Sequence, residues 1–558
     1  MKALKTILIY LAFILGILLV IALSIIAFMY FSPGSSVFGF KYVRCDNKLE
    51  YIYNNTTELS VENVEAIEIT VNNSDIYIYP NKESSDLKIA HIQQFSGFCK
   101  AVNSTLSVNN EVVYKQFEED NSELKTFRTV VKEPTGWINK NNSSVAVYVP
   151  SSLLIDTIYL KSTGGNIYYV SADETSLLNC NDLYLKTSNK GNISIQNEEP
   201  ISNYYLQTQY GNVNFTNASL LEASQIKFDT YSGAFSYVNA TGNATIQLSK
   251  ALTINSADNK SGPRIYINKL NADFYVNSNK GIFSINEIST AGVYRTIAMT
   301  LNQAEINFGK VYGVVSLYSA DGKLHNKVNI SQLIYPNATH ILEVGEGNVN
   351  INYLSGNIAI DATEGNINIS EVTTSSDVYA FTTSGNIYVK YVESEEESKD
   401  TYLKVITETG NVNLHNISVS LDIKVLKNSS NKEMNLFFTA VTGVDNKIFV
   451  RDRVVNLSIL GLSDSLQFRI VSTSKVDLVG AIAGTEVSTE FDSNNVRNND
   501  YLLGLNAYNS YSYGYRIGYI KDLNPGSNYS TNAFESWGKL LIQSSNYISI
   551  TAKNQILN

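Results

Sequence analysis

The residues most able to do chemistry in this sequence stand apart from one another. Its four histidines, His91, His325, His340 and His415, are solitary, and no HExxH, GxSxG, P-loop or strand-linked GxGxxG occurs. Zinc hydrolysis, serine-nucleophile catalysis and nucleotide binding each need those residue types at set spacings, so all three lose their usual signal. The expectation is a protein that is not an enzyme, with no catalytic, cofactor-binding or metal-binding residues and no cofactor. The competing reading is a membrane-tethered carbohydrate-active enzyme, because paired carboxylates on a β-helix face need no local motif. The acidic run Glu393-Ser394-Glu395-Glu396-Glu397-Ser398 reads as a solvated loop. The oxygen-rich segment Asp492–Asp500 resembles a calcium loop, but Arg497 and the missing Gly and bidentate Glu favour a polar turn.

Binding chemistry has better candidates. Tyr511, Tyr513, Tyr515 and Tyr519 alternate along one predicted strand face, where an aromatic row either packs within the fold or binds a sugar or protein partner. About nineteen Asn-x-Ser/Thr sequons follow the N-terminal apolar segment, among them Asn54, Asn103, Asn192, Asn214, Asn243, Asn337, Asn416 and Asn528. These are glycosylation positions if the host is a eukaryote and carry no meaning in a bacterium. Cys45, Cys99 and Cys180 are too far apart for a metal knuckle or a dense disulfide framework. Either Cys45 and Cys99 pair across the first sheet, leaving one thiol, or the cysteines are buried and unpaired.

These residues need elements to position them, and composition favours strands. The 558 residues include 37 Tyr and 22 Phe against 8 Pro and 4 Met, and only 17% are charged. Aromatic and β-branched residues fit a pleated, half-buried surface. A formal charge of −10 with no Lys/Arg cluster removes the counterion-release drive for nucleic acid. The run Thr6–Phe31 is almost wholly apolar, preceded by Lys2 and Lys5 and followed by Ser32-Pro33-Gly34-Ser35-Ser36. It is long enough to span a bilayer and too long for a cleaved signal peptide, so it reads as an uncleaved signal-anchor with the remainder non-cytoplasmic.

The most informative pattern is a recurring Gly-Asn followed by two apolar residues one position apart. It occurs as Gly165-Asn166-Ile167-Tyr168-Tyr169, Gly191-Asn192-Ile193-Ser194-Ile195 and Gly211-Asn212-Val213-Asn214-Phe215, and again from Gly347, Gly356, Gly365, Gly385 and Gly410. Degenerate copies begin at Gly233 and Gly281. Gly and Asn tolerate positive φ in a tight turn, and apolar residues at i and i+2 share one strand face. Each copy is therefore a turn followed by a half-buried strand, and a second alternating pair lies shortly before most of the glycines. Copies about 20 residues apart suit coils that stack into a β-solenoid, with Ile and Val inside and Asn and Thr ladders at the corners. A dozen coils at the strand spacing would extend about 60 Å.

The lead-in Glu68-Ile69-Thr70-Val71-Asn72-Asn73-Ser74-Asp75-Ile76, then Val149-Pro150, Ile158-Tyr159-Leu160 and the repeats, resemble the bacterial-type adhesin-like family of unknown function, marked by repeated small-Gly-Asn/Asp-Ile segments. The resemblance covers roughly Asn63 to Leu414 and implies a β-helical surface protein with an adhesive role. The expected fold is all-β: a single-stranded β-helix or β-solenoid with β-rich caps, preceded by one transmembrane helix. The expected organisation is a cytoplasmic tail at 1–5, the anchor at 6–31, a linker at 32–62, an N-terminal β cap at 63–157, solenoid repeats at 158–429 and a β-rich region at 430–558. The expected role is a single-pass, cell-surface structural or adhesion-like protein, with the lumen of an internal membrane as the other location. Its expected partners are the membrane and cell-surface glycans or proteins.

Overall fold

The computed structural model describes residues 2–31, 36–37, 40–43, 51–59, 63–81, 85–100, 107–117, 123–132, 136–170, 178, 180–196, 201–216, 223–238, 245–257, 260–318, 325–392, 401–417 and 419–425, and beyond these the strands 434–439, 445–450, 455–461, 467–482, 485–487, 496–498, 508–510, 516–521 and 539–551. Contacts divide the chain into two compact units, Met1–Lys250 and Ala251–Asn558.

The helix Lys2–Phe31 contains the apolar stretch Lys5–Phe28 and is, among the described residues, the one helix long and apolar enough to cross a membrane. Twenty-four residues at about 1.5 Å each give about 36 Å, more than a hydrocarbon layer of about 30 Å. Ile7, Leu11, Leu18 and Phe28 are all more than half exposed, so this apolar surface is not consumed by folding. Ser24 donates its hydroxyl to the Val20 carbonyl at 2.8 Å, which keeps that polar group satisfied within the helix.

In the first unit, two parallel ladders form the faces of stacked coils. Strand Ala66–Val71 pairs with both Glu123–Lys132 and Ile155–Ser162, and the ladder continues through Cys180–Thr187, Asn203–Gln207 and Gln225–Thr230. The other face runs Gly136–Pro150, Asp75–Asn81, Ile167–Val170, Ile193–Gln196, Val213–Thr216 and Ala234–Val238. Alternation along each strand turns every second side chain inward. In register, this makes a buried row of Ile67, Ile158, Leu183, Tyr204 and Ile226 facing another of Ile76, Ile167, Ile193, Val213 and Phe235, each at 0% exposure. Burying one such side chain contributes about 1.5–3 kcal/mol. Residues 66–71 and 75–81, within the stretch 63–157 that the Gly-Asn pattern leaves out, hold the same parallel register as the repeats. Antiparallel pairs occur at this end of the unit, among them Leu87–Lys100 beside Gly136–Pro150 and Ser107–Gln116 beside Glu123–Lys132.

The second unit uses the same parallel stacking with longer strands. Arg264–Ile288, Arg295–Tyr318, Lys327–Glu343 and Val349–Asp361 pair in sequence, with register shifts after Tyr312 and Ile334. Later coils divide into two short strands each, as in Ile387–Val392 with Tyr402–Thr407. Phe283, Ile306, Val328, Val349, Ile367, Ile387 and Val412 form one inward row. The last Gly-Asn copy is Gly410-Asn411, yet parallel pairing continues through Met434–Thr439, Val455–Gly461 and Gln467–Ile482.

The corners explain the repeated Gly-Asn, and they correct the expected reason for the glycine. Gly165, Gly191, Gly211, Gly233, Gly347, Gly365, Gly385 and Gly410 do not have positive φ; among the Gly-Asn glycines Gly356 does, at 131°. The constraint at the others is distance. A Cβ on Gly211 would lie 1.7 Å from the Gly191 carbonyl oxygen, and one on Gly410 would lie 1.6 Å from that of Gly385. Six of these eight thus seat the carbonyl of the glycine on the adjacent rung, and Gly165 and Gly347 seat those of Ser74 and Asn326. The asparagines form the expected ladder: the Oδ1 atoms of Asp75, Asn166, Asn192 and Asn212 accept the backbone N–H of Asn166, Asn192, Asn212 and Ala234 at 2.7–3.0 Å. Asn348, Asn366 and Asn386 do the same for Asn366, Asn386 and Asn411. A buried hydroxyl three residues before the glycine closes the corner, with Ser162, Thr230, Thr382 and Thr407 accepting from the N–H of Gly165, Gly233, Gly385 and Gly410.

Candidate functional site

The outward side of the first ladder carries the most distinctive surface. Alternating with the inward positions of each strand, Tyr159, Tyr184, Tyr205 and Lys227 pair in register, Tyr184 covered to 5% exposure and the other three half-buried, and two residues further on so do Lys161, Lys186, Gln207 and Asp229. The rings of Tyr184 and Tyr205 stack at 4.2 Å and 11°. Tyr159 lies 6.0 Å from Tyr184, and Phe117, just past the end of strand Ser107–Gln116, lies 6.0 Å from both. Phe117 is 5% exposed and packs with Ala66 and Tyr184. The Tyr205 hydroxyl accepts from Gln225 Nε2 at 3.0 Å.

Charge closes one end of this row. Lys115 Nζ sits 5.0 Å from the Phe117 ring centroid and 4.8 Å from that of Tyr159, and it reaches Glu68 Oε1 at 2.9 Å. Arg128 Nε is 3.5 Å from Glu68 Oε2, and its Nη1 is 3.2 Å from Glu111 Oε1. Glu68 is 5% exposed, and a buried carboxylate persists when cations face it. At the other end Tyr184, Tyr205, Lys186, Gln207, Lys227 and Asp229 line a shallow open depression. Lys161 and Lys186, both half-buried, meet no carboxylate within ion-pair distance among the described residues. Phenols, an amide and ammonium groups beside the single carboxylate of Asp229 can hold a hydroxyl-rich or anionic ligand.

Smaller aromatic pairs decorate other faces. Tyr77 stacks on Tyr168 at 4.7 Å and Tyr79 on Tyr148 at 5.3 Å. Partial burial, and then the Asp75 charge, hold the Tyr77 and Tyr168 hydroxyls above the usual phenol pKa. In the second unit Tyr294 stacks on Tyr335 at 4.1 Å, and Asn307, Asn329 and Asn350 form an outward ladder, Nδ2 to Oδ1, at 2.7 and 2.9 Å.

Comparison with known proteins assigns this parallel stack to a family. A family model described as Toastrack DUF4097 matches residues 64–435, well over half of the chain. The chain belongs to the Toastrack DUF4097 family. The match takes in strands of both units, from the lead-in before Ala66 to the strand beginning at Met434. No curated protein matches this Toastrack chain. Among solved structures, it is similar to a candidate cell adhesion protein from Clostridium sporogenes ATCC 15579, at 10% identity and a TM-score of 0.21, covering 45% of this chain and 99% of that one.

The residues singled out in the sequence are distributed unevenly over the Toastrack structure. Tyr511, Tyr513 and Tyr515 lie outside the described residues, and Tyr519 is on strand Arg516–Lys521, opposite Gln467. Cys45 lies outside them as well, so the Cys45–Cys99 pairing does too; Cys99 is on strand Leu87–Lys100, opposite Lys41. Cys180 is a buried free thiol whose pKa burial raises. The acidic run 393–398 lies outside the described residues, as does most of 492–500. Asn103, Asn243 and Asn528 also fall outside, and Asn54 is opposite Ile92 on an antiparallel strand. Asn192 is tied into the corner ladder through both amide atoms, and Asn214 Oδ1 accepts from Ser236 Oγ at 2.7 Å. Asn337 and Asn416 are exposed. His325 Nδ1 faces Glu346 at 2.9 Å on the surface, whereas His91 and His340 are fully buried. No group of three His, Cys, Asp or Glu residues able to hold a metal occurs among the described residues.

The aromatic–lysine face was missed in the sequence, although a signal was there. Superposing Ile158-Tyr159-Leu160-Lys161, Leu183-Tyr184-Leu185-Lys186 and Tyr204-Tyr205-Leu206-Gln207 puts a tyrosine at the same outward position in three consecutive copies.

Proposed function

We propose that this Toastrack protein is anchored in a membrane by Lys2–Phe31 and displays its β-solenoid units on the cell surface, in a non-catalytic, adhesion-like role. The observation that carries this reading is the outward row Tyr159, Tyr184 and Tyr205 with its neighbouring lysines, since the stack is already filled by the inward residues of the same strands. An aromatic row held on a rigid sheet suits repeated, side-by-side contacts in which many weak bonds add. The helix supports the anchor by its length and by apolar side chains left exposed.

The test is attachment. Cells producing the full chain are expected to adhere to a cell layer or coated surface more than cells lacking it, and Tyr205→Ser is expected to reduce adhesion toward that background. Equal attachment with and without the chain would reject the adhesive role.

A further inference from the structure

We propose that the outward face around Lys161, Lys186 and Tyr205 binds an acidic polysaccharide, the ammonium groups meeting its carboxylates and the Tyr205 ring packing against a sugar. This deepens the surface-contact reading above and rests on it.

The starting observation is an uncompensated pair of like charges. Lys161 and Lys186 are direct partners in the parallel ladder, on rungs about 4.8 Å apart. Like charges facing one another across a ladder are destabilising. The chain has 52 acidic residues against 42 basic ones, yet no described carboxylate comes within ion-pair distance of either ammonium. The contrast with Lys115 and Arg128 is direct, since those cations at the opposite end of the same face are both matched to Glu68. An anion supplied from outside would relieve the Lys161–Lys186 repulsion through charge-assisted hydrogen bonds.

The surroundings select the kind of anion. The depression beside Lys186 is open and is lined by Tyr205, Gln207, Lys227 and Asp229 together with the largely buried Tyr184, so one carboxylate stands there against two ammonium groups. Ring and hydroxyl together suit a sugar, with an apolar surface for its C–H groups and polar tips for its hydroxyls. An extended peptide has less to hold. Strands Ile155–Ser162, Cys180–Thr187 and Asn203–Gln207 are each paired on both sides, so no edge is open to strand addition. The two cations stand on adjacent rungs, so a polymer with repeating carboxylates can meet both at once.

The experiment is a titration of the full-length protein in detergent micelles with three probes: polygalacturonate, its fully methyl-esterified form, and poly-glutamate. Polygalacturonate is expected to bind, and to weaken as salt is raised. The ester, which keeps the sugars and removes the charge, and poly-glutamate, which keeps the charge and removes the sugars, are each expected to bind at least tenfold more weakly. The double variant Lys161→Gln, Lys186→Gln is expected to lose at least tenfold for polygalacturonate with an unfolding midpoint no lower than the parent's, since the repulsion is removed, and Tyr205→Leu to lose several-fold. Equal binding by the double variant overturns the proposal, as does poly-glutamate binding as tightly as the sugar polymer, which would indicate an acidic peptide partner. The two readings fail separately. Tyr205-dependent cell attachment without polygalacturonate binding rejects the acidic glycan and leaves surface contact standing; lysine-dependent polymer binding without chain-dependent attachment does the reverse.

Discussion

The phenol rings of Tyr184 and Tyr205 lie parallel, 4.2 Å apart, because their Cα atoms are register partners on adjacent rungs. Such a pair contributes roughly 0.5–1.5 kcal/mol beyond the area it buries. A double-mutant cycle with Tyr184→Ala and Tyr205→Ala is therefore expected to give a coupling of about 1 kcal/mol in denaturant unfolding. Additive effects would mean that the two rings do not stack in solution.

The corner glycines should tolerate no side chain. Gly211→Ala places a Cβ against the Gly191 carbonyl, a backbone atom that cannot swing aside. A loss above about 4 kcal/mol is expected, the range reserved for clashes and broken networks, seen as a large drop in unfolding midpoint or in folded yield. A midpoint within a degree or two of the parent would refute the stacked-carbonyl explanation.

The asparagine ladder separates acceptor chemistry from shape. Asn386 Oδ1 accepts the Asn411 N–H at 3.0 Å, so Asn386→Ala should cost about 1 kcal/mol. Asn386→Asp keeps the acceptor, as Asp75 does at the equivalent position in the first unit, and should cost less. If Ala and Asp variants unfold at the same denaturant concentration, the hydrogen bond contributes nothing measurable.

Much of this architecture is legible in the sequence. Ile193 and Ile195, one position apart after Gly191-Asn192, announced an inward pair, and they are fully buried. The reason for the glycine was not legible, because positive φ is a property of one residue whereas the Gly191–Gly211 approach belongs to two rungs brought together only by folding. The tyrosine–lysine face was obscured for a related reason. Tyr159, Tyr184 and Tyr205 are unevenly spaced in sequence, and they align only once the connections between rungs are taken out. The tyrosine stripe that did stand out, Tyr511 to Tyr519, owed its visibility to local alternation within one segment.

Acid should loosen both units. His91 and His340 are fully buried, and burial lowers each pKa from 6.5 to about 4. His340 Nδ1 accepts the Val315 N–H at 3.2 Å, which a protonated ring could not do. Between about pH 4 and 6.5 the unfolded chain binds more protons at these positions than the folded chain, so stability falls as pH falls through that window. The loss approaches about 3 kcal/mol per histidine at the low end. Unfolding midpoints measured from pH 7 to pH 5, above most carboxylate titration, should already decline. A flat profile would show that the rings are hydrated or partnered.

Display on the outer surface is most directly tested by shaving intact cells with a broad-specificity protease and identifying the released peptides by mass spectrometry. Peptides from both the tyrosine–lysine rungs around 159–229 and the later coils around 347–414 are expected in the medium while Lys2–Phe31 stays with the membrane fraction. Release only after the cells are permeabilised would contradict a surface role.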